Sequence, residues 1–247
     1  MASDTEVAFD ESGSEGERLI GGNTDVFAHA GVRLGVDEAD AWLAEVRRRA
    51  PTPADEFKAN HILREKNHAA LLWVLGPDGP FHGRARVHLT VAALRTAVAR
   101  PAGPFEAIME DLARAAPALD AARRTRTATP PEIPVLDPMP PAVVAAVTYW
   151  SARSRSGRVA IVHDRQTGLT PDRVALIRGL AGDRLARLSF AVAGADARIQ
   201  LADVLAGAAR KLASDELNGR ADPALTALLL RYVDTTSVWS EPFWSDG

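Results

Sequence analysis

Short alternating stretches and longer runs at helical spacing divide this chain into a readable series of elements. Residues 7–12 alternate apolar and polar positions and break into Asp10-Glu11-Ser12-Gly13, which predicts a strand ending there. Gly13, Gly16, Gly21 and Gly22 predict a turn region, and 26–34 a second strand that closes a β-hairpin. Ala39, Trp42, Leu43 and Val46 form one stripe, so 37–49 reads as a helix. Thr52-Pro53-Ala54-Asp55 has the form of a helix start, and a helix is expected from there to about Leu75, with a break near Asn60. Gly76-Pro77-Asp78-Gly79-Pro80 predicts a turn, 84–90 a strand, and 91–100 and 105–122 helices.

The second half opens with six prolines over residues 125–141, an extended loop or inserted linker. Then come a helix over 142–154, a short buried strand over 158–164 ending in His163-Asp164, and a helix over 171–180. A last strand over 188–193 precedes helices over 199–217 and 224–232. Strands first, then alternating helix and strand, suit an α/β fold: a mixed sheet, antiparallel at its start and parallel later, with helices on both faces. The expected layout is one domain over 1–236, with a helical and proline-rich insertion at about 101–157. A polar tail over 237–247 carries Trp239, Phe243 and Trp244, which pack on the body or meet a partner.

Composition narrows the chemistry. The chain has 247 residues, of which 47% are hydrophobic and 25% charged, and has no cysteine, so thiolate ligands and disulfides are excluded. Any metal must be held by oxygen or imidazole. The net charge of −3 argues against a wholesale polyanion binder but leaves room for a local basic groove. Lysine occurs only at 58, 66 and 211; the other cations are arginine. The first residues lack a basic and apolar leader pattern and no apolar run approaches a membrane span, so a cytoplasmic protein with no membrane association is expected.

Four acidic positions stand out. Neighbouring strand residues face opposite ways, so Asp10 shares a face with Ala8 and Ser12, and Glu11 with Val7 and Phe9. One of the two acids can serve a single pocket, and Asp10 is the choice. Asp164 follows an apolar strand, where ligands of open α/β sheets usually bind, although a turn residue there is equally ordinary. In the helix over 199–217, Leu201, Val204, Leu205, Ala208 and Leu212 form the apolar stripe, with Gln200, Asp203 and Gly207 on a neighbouring face. Glu56 and Lys58 lie near an element start, where surface charge is common.

Together these pieces resemble the domain-of-unknown-function 3800 family, found in bacteria and mobile elements. The matching segments are Phe9-Asp10-Glu11-Ser12-Gly13, Glu56-Phe57-Lys58, Val162-His163-Asp164-Arg165 and Ile199-Gln200-Leu201-Ala202-Asp203, spread over about residues 6–212. The first and last are the specific ones, and about 101–157 matches nothing. Val91-Ala92 follows His88-Leu89-Thr90 where a lysine would be expected, which removes that lysine's role. The resemblance implies an RNase H-like fold with an acidic set of Asp10, Glu56, Asp164 and Asp203. It further implies substrate or supporting contacts from Lys58, Gln200, Arg165 and His163.

Such a set points to a cation. Two carboxylates ~4 Å apart repel by about 1 kcal/mol in water and about 4 kcal/mol at an effective dielectric near 20. Without cysteine, hard oxygen ligands favour Mg²⁺ or Mn²⁺. A metal pair would activate water and stabilise a leaving oxygen in phosphodiester cleavage, with Asp10 bridging, Asp164 and Glu56 holding one ion each, and Asp203 completing the cluster. The expectation is a divalent-metal-dependent nuclease acting on DNA or RNA. The alternative is a catalytically silent binding protein on the same fold, in a mobile-element or phage-defence setting, with a protein partner or homo-oligomer left open. Arg153, Arg155 and Arg158, and separately Arg123, Arg124 and Arg126, are candidate phosphate contacts that read more simply as solvated charge. No G-x-G-x-x-G fingerprint, nucleophile elbow or H-E-x-x-H spacing is present.

Overall fold

β2 (Val26–Val32) is buried along its whole length, and the rest of the fold is layered around it. It lies second in a five-stranded sheet of order β3-β2-β1-β4-β5, with β1 at Thr5–Ser12, β3 at Ala85–Val91, β4 at Val159–Asp164 and β5 at Leu185–Ala191. β1–β2 and β2–β3 are antiparallel, whereas β1–β4 and β4–β5 are parallel. This is the mixed α/β sheet expected from the element order. The computed structural model describes residues 4–13, 26–91, 138–166 and 168–237. The expected helices over 91–100 and 105–122, the three arginines at 123–126, the glycine turn beyond Gly13 and the aromatic tail lie outside those residues.

Strand alternation divides the core in two. Ala8, Ala28, Ala30, Val32, Leu89 and Val162 face one side. There they meet α1 (Val36–Arg49), α2 (Ala59–Ile62), α3 (His68–Leu75), a long helix at Ala197–Leu217 and a short one at Pro223–Leu229. Val7, Phe9, Phe27, Val159, Ile161 and Leu188 face the other side, against α4 (Met139–Ser151) and α5 (Pro171–Ala181). The long helix is α6 and the short one α7. Each fully buried Leu, Ile, Val or Phe contributes about 1.5–3 kcal/mol of transfer free energy. Helices therefore cover both faces. Residues 232–234 run along the outer edge of β3, where Val87 N donates to Tyr232 O at 2.9 Å and Asp234 N to Val87 O at 2.8 Å, so this edge is paired.

Two expectations need correction. The helix foreseen from Thr52 does not form, and helix begins only at Ala59. Tertiary partners take the backbone groups that a helix would use: Arg47 donates to the carbonyls of Ala54 at 2.8 Å and Asp55 at 2.5 Å, and Phe57 N donates to the Gln200 side chain at 2.8 Å. The proline-rich stretch ends earlier than expected, because α4 starts at Met139 with Pro140 and Pro141 in its first turn, where no intrahelical donor is required. Val143, Val147 and Trp150 of α4 share the second core with Phe9 and Ile161, so this part of the foreseen insertion belongs to the domain core.

Alanines line much of α6, and Gly207 lets α2 approach it closely: a Cβ added there would lie 2.2 Å from Ala59 Cβ. Gly207→Ala is therefore expected to destabilise by about 1–3 kcal/mol through overpacking, despite gaining helix propensity. Gly179→Ala on α5, where an added Cβ meets nothing within 4 Å, is the control and should stabilise by about 0.5–1 kcal/mol. Urea denaturation of the two variants measures both signs.

Candidate functional site

Asp10 and Asp164 stand at the same level on adjacent strands. The parallel register pairs Ala8 with Val162 and Phe9 with His163, so the next step brings Asp10 beside Asp164 at the carboxyl ends of β1 and β4. Asp10 shares its face with Ala8, the side covered by α6, from which Asp203 projects. Asp10 is 7% exposed, although it is a carboxylate. Its Oδ1 accepts from the Glu11 N–H at 2.8 Å.

The segment carrying Glu56 and Lys58 has no regular structure of its own and is fastened to α6. Gln200 Oε1 accepts from Phe57 N at 2.8 Å, and Gln200 Nε2 donates to Ala193 O at 2.9 Å, so one buried amide ties this segment to the loop after β5. Asp203 Oδ2 accepts from Ala59 N at 2.6 Å and holds the start of α2. Arg47 supports the segment from beneath through the Ala54 and Asp55 carbonyls, and its guanidinium lies 5.7 Å from the Phe57 ring centre. Gln200, Asp203 and Gly207, grouped on one helix face from spacing alone, thus all meet residues 57–59. Lys58 Nζ pairs with Glu56 Oε1 at 3.1 Å, and both side chains are partly exposed.

The acids lie within each other's electrostatic reach. Burial, then the charges of Glu11, Asp203 and Asp164, push the Asp10 carboxyl far above the usual carboxylate range. Glu11 is pushed up by burial and by Asp164. Asp164 is raised by burial, with Glu56 adding to it, while the backbone N–H groups of Arg165 and Ala193 and the charge of Lys58 oppose the shift. Asp203 is raised by burial, against the Ala59 hydrogen bond and Lys58. Asp10, Glu56, Asp164 and Asp203 are therefore brought into one electrostatic neighbourhood, with Lys58 beside them. Among the described residues no three His, Asp or Glu side chains stand at a spacing that could hold a metal ion.

The supporting residues fall into two groups. Lys58 and Arg165 are exposed, on the segment before α2 and directly after β4. Gln200 and His163 are buried, and their hydrogen bonds run to the protein's own framework. His163 faces the opposite side of the sheet from Asp10 and Asp164, as strand alternation requires.

That opposite side holds a group the sequence did not reveal. His163 Nδ1 lies 3.0 Å from the Asp164 carbonyl, which can only accept, so Nδ1 carries the proton and Nε2 accepts from His29 Nε2 at 3.1 Å. The ring centroids are 5.2 Å apart and nearly coplanar, so the imidazoles meet tip to tip. Burial lowers His163 to about 4 and carries His29 well below the usual imidazole value, keeping both neutral. His29 stacks on Phe9, and among the described residues its Nδ1 is left without a hydrogen-bond partner. Glu11 Oε2 is likewise unpartnered, 4.0 Å from His163 Nε2. Asp10 and Glu11 leave the strand on opposite faces, as alternation requires, and the charges of Asp164 and Asp203 reach both. The available signal was the pair of histidines at strand positions facing the core. No protein family, curated protein or solved structure matches this chain.

Carboxyls raised in the folded state bind protons more tightly there than in the unfolded chain, so the stability they contribute in acid is lost as pH climbs from about 4 through neutrality. The metal-free protein should melt lower at about pH 8 than at about pH 5, and Asp10→Asn should recover on the order of 2 kcal/mol at the higher pH only. Scanning calorimetry with a chelator tests this; equal gains at both values would exclude charge as the cause. Gln200→Ala leaves the buried Phe57 N–H unsatisfied and should cost about 1–3 kcal/mol, with faster hydrogen exchange over residues 52–59.

Proposed function

We propose that the chain is a divalent-cation-dependent phosphodiester hydrolase acting on nucleic acid, with Asp10, Glu56, Asp164 and Asp203 as its acidic set. One observation carries this reading: acids from two strand ends, a helix and a pinned segment share one partly buried neighbourhood, where each raises its neighbours' affinity for positive charge. Partly buried carboxylates within each other's field are stabilised by sharing protons or a cation. The donors are oxygens and no cysteine is present, a set that suits Mg²⁺ or Mn²⁺. The resemblance to the domain-of-unknown-function 3800 family and its RNase H-like fold rests on the four motifs and agrees with the strand order.

The bound cation would supply Lewis-acid stabilisation of a phosphoryl group and a more acidic water. The chain's own residues divide the remaining tasks. Asp10 and Asp164 supply charge from rigid strand ends, the most exact placement available in the fold. Asp203 supplies a carboxylate while Oδ2 secures α2, and Glu56 adds another from the pinned segment. Lys58, paired with Glu56, and Arg165, exposed beside Asp164, are the cations placed to meet substrate phosphates. Among the described residues no helix is long and apolar enough to cross a membrane, and a cytoplasmic setting fits the cysteine-free composition.

Purified protein incubated with labelled single- and double-stranded DNA and RNA should cleave at least one of them with Mn²⁺ and none with EDTA. Asp10→Asn should reduce cleavage to background and abolish Mn²⁺ uptake in calorimetry while remaining folded. Cleavage by Asp10→Asn at the wild-type rate would refute the assignment.

A further inference from the structure

Of the three residues of the Asp-Glu-Ser-Gly segment that the acidic set leaves unused, Ser12 and Gly13 both meet one arginine. Ser12 closes β1 two residues past Asp10 on the same strand face, about 6.6 Å along the strand. Its hydroxyl accepts from Arg210 Nε at 2.9 Å. Arg210 lies on α6 seven residues beyond Asp203, two helical turns on, so both project from the same side of that helix.

Several cations of this core are already neutralised by acids. Arg198 is bound to Glu6 and Asp196, Arg187 to Glu6 and Arg86 to Asp234, and the neighbouring Lys211 is bound to Asp215. Arg210 is half-buried, and among the described residues it forms no ion pair; its one hydrogen-bond partner is a neutral hydroxyl, reached through Nε. That arrangement aims the guanidinium while leaving its two terminal nitrogens for a planar, bidentate anion.

Gly13 provides the room. It adopts a φ of +96°, and an added Cβ would come 2.4 Å from the Val26 carbonyl oxygen and 3.0 Å from Arg210 Cδ. Any larger residue at 13 would push against the arginine stem as well as straining the backbone.

We propose that Arg210, oriented by Ser12 and accommodated by Gly13, is a phosphate-binding residue that grips the nucleic-acid backbone next to the acidic set. Ser12 is a positioning residue in this arrangement. The proposal deepens the nuclease reading and rests on it. It accounts for the two residues that end the segment: the hydroxyl that aims a cation, and the glycine that admits it.

The test measures binding of fluorescein-labelled single-stranded DNA and RNA oligonucleotides by anisotropy, in EDTA and over a salt series. Mn²⁺ calorimetry and melting curves accompany it. Arg210→Gln should weaken binding about tenfold and reduce the slope of log K against log salt by about 1. Its Mn²⁺ uptake and melting point should stay near wild type. Arg210→Lys should restore the salt slope but only part of the affinity, and Ser12→Ala should lose affinity while keeping the slope. Wild-type affinity and slope in Arg210→Gln, in a protein that cleaves with Mn²⁺, would overturn this inference and leave the nuclease reading standing. A wild-type protein that takes up no Mn²⁺ and cleaves nothing sinks the nuclease reading. Retained, Arg210-dependent oligonucleotide binding in that protein would still support the phosphate site, and loss of binding there would overturn both.

Discussion

Mutual repulsion among partly buried carboxylates is the constraint around which this fold is arranged. Asp10, Asp164 and Asp203 would each be more stable in water and apart. Sheet register fixes the first two side by side, and α6, packed by its apolar stripe, brings the third to them. Core packing on the two faces of the sheet supplies the free energy that offsets this unfavourable electrostatics. Local instability maintained by a well-packed surround is common at sites that bind or react.

The segment before α2 shows how such a site is completed without regular structure. It has few backbone hydrogen bonds of its own and borrows partners from elsewhere: the Gln200 amide, the Asp203 carboxylate and the Arg47 guanidinium. Two of those partners lie on one face of α6, and the third comes from α1, which packs on the same helix. Placement of Glu56 and Lys58 therefore depends on the helix that carries Asp203. The acidic neighbourhood and its cation are mechanically one unit, although they are about 150 residues apart in the chain.

Much of this was legible in sequence, for identifiable reasons. Alternation over residues 7–12 put Asp10 on the Ala8 face, and helical spacing put Gln200, Asp203 and Gly207 together, because both periods follow from backbone geometry alone. The α6 stripe at Leu201, Val204, Leu205, Ala208 and Leu212 is buried as its pattern required. The Thr-Pro-Ala-Asp sequence misled because capping preference is a local signal of about 1 kcal/mol, and three tertiary hydrogen bonds to Gln200 and Arg47 outweigh it. His29 and His163 were illegible as a pair because their meeting depends on strands separated by more than a hundred residues. The link between Ser12 and Arg210 was hidden for the same reason: it spans 198 positions, and neither residue carries a periodic signal of its partner.

The tip-to-tip imidazoles use up most of each other's bonding capacity. His163 uses Nδ1 on a carbonyl and Nε2 on His29, and His29 uses Nε2 in return, so among the described residues the pair has one bare lone pair, His29 Nδ1, sealed beneath the sheet. Both rings are buried, so neither of the two presents a nitrogen to solvent. In the site proposed above, an ion would therefore meet carboxylate oxygens, while the two imidazoles behind Asp10 and Asp164 are kept from it by their bond to each other.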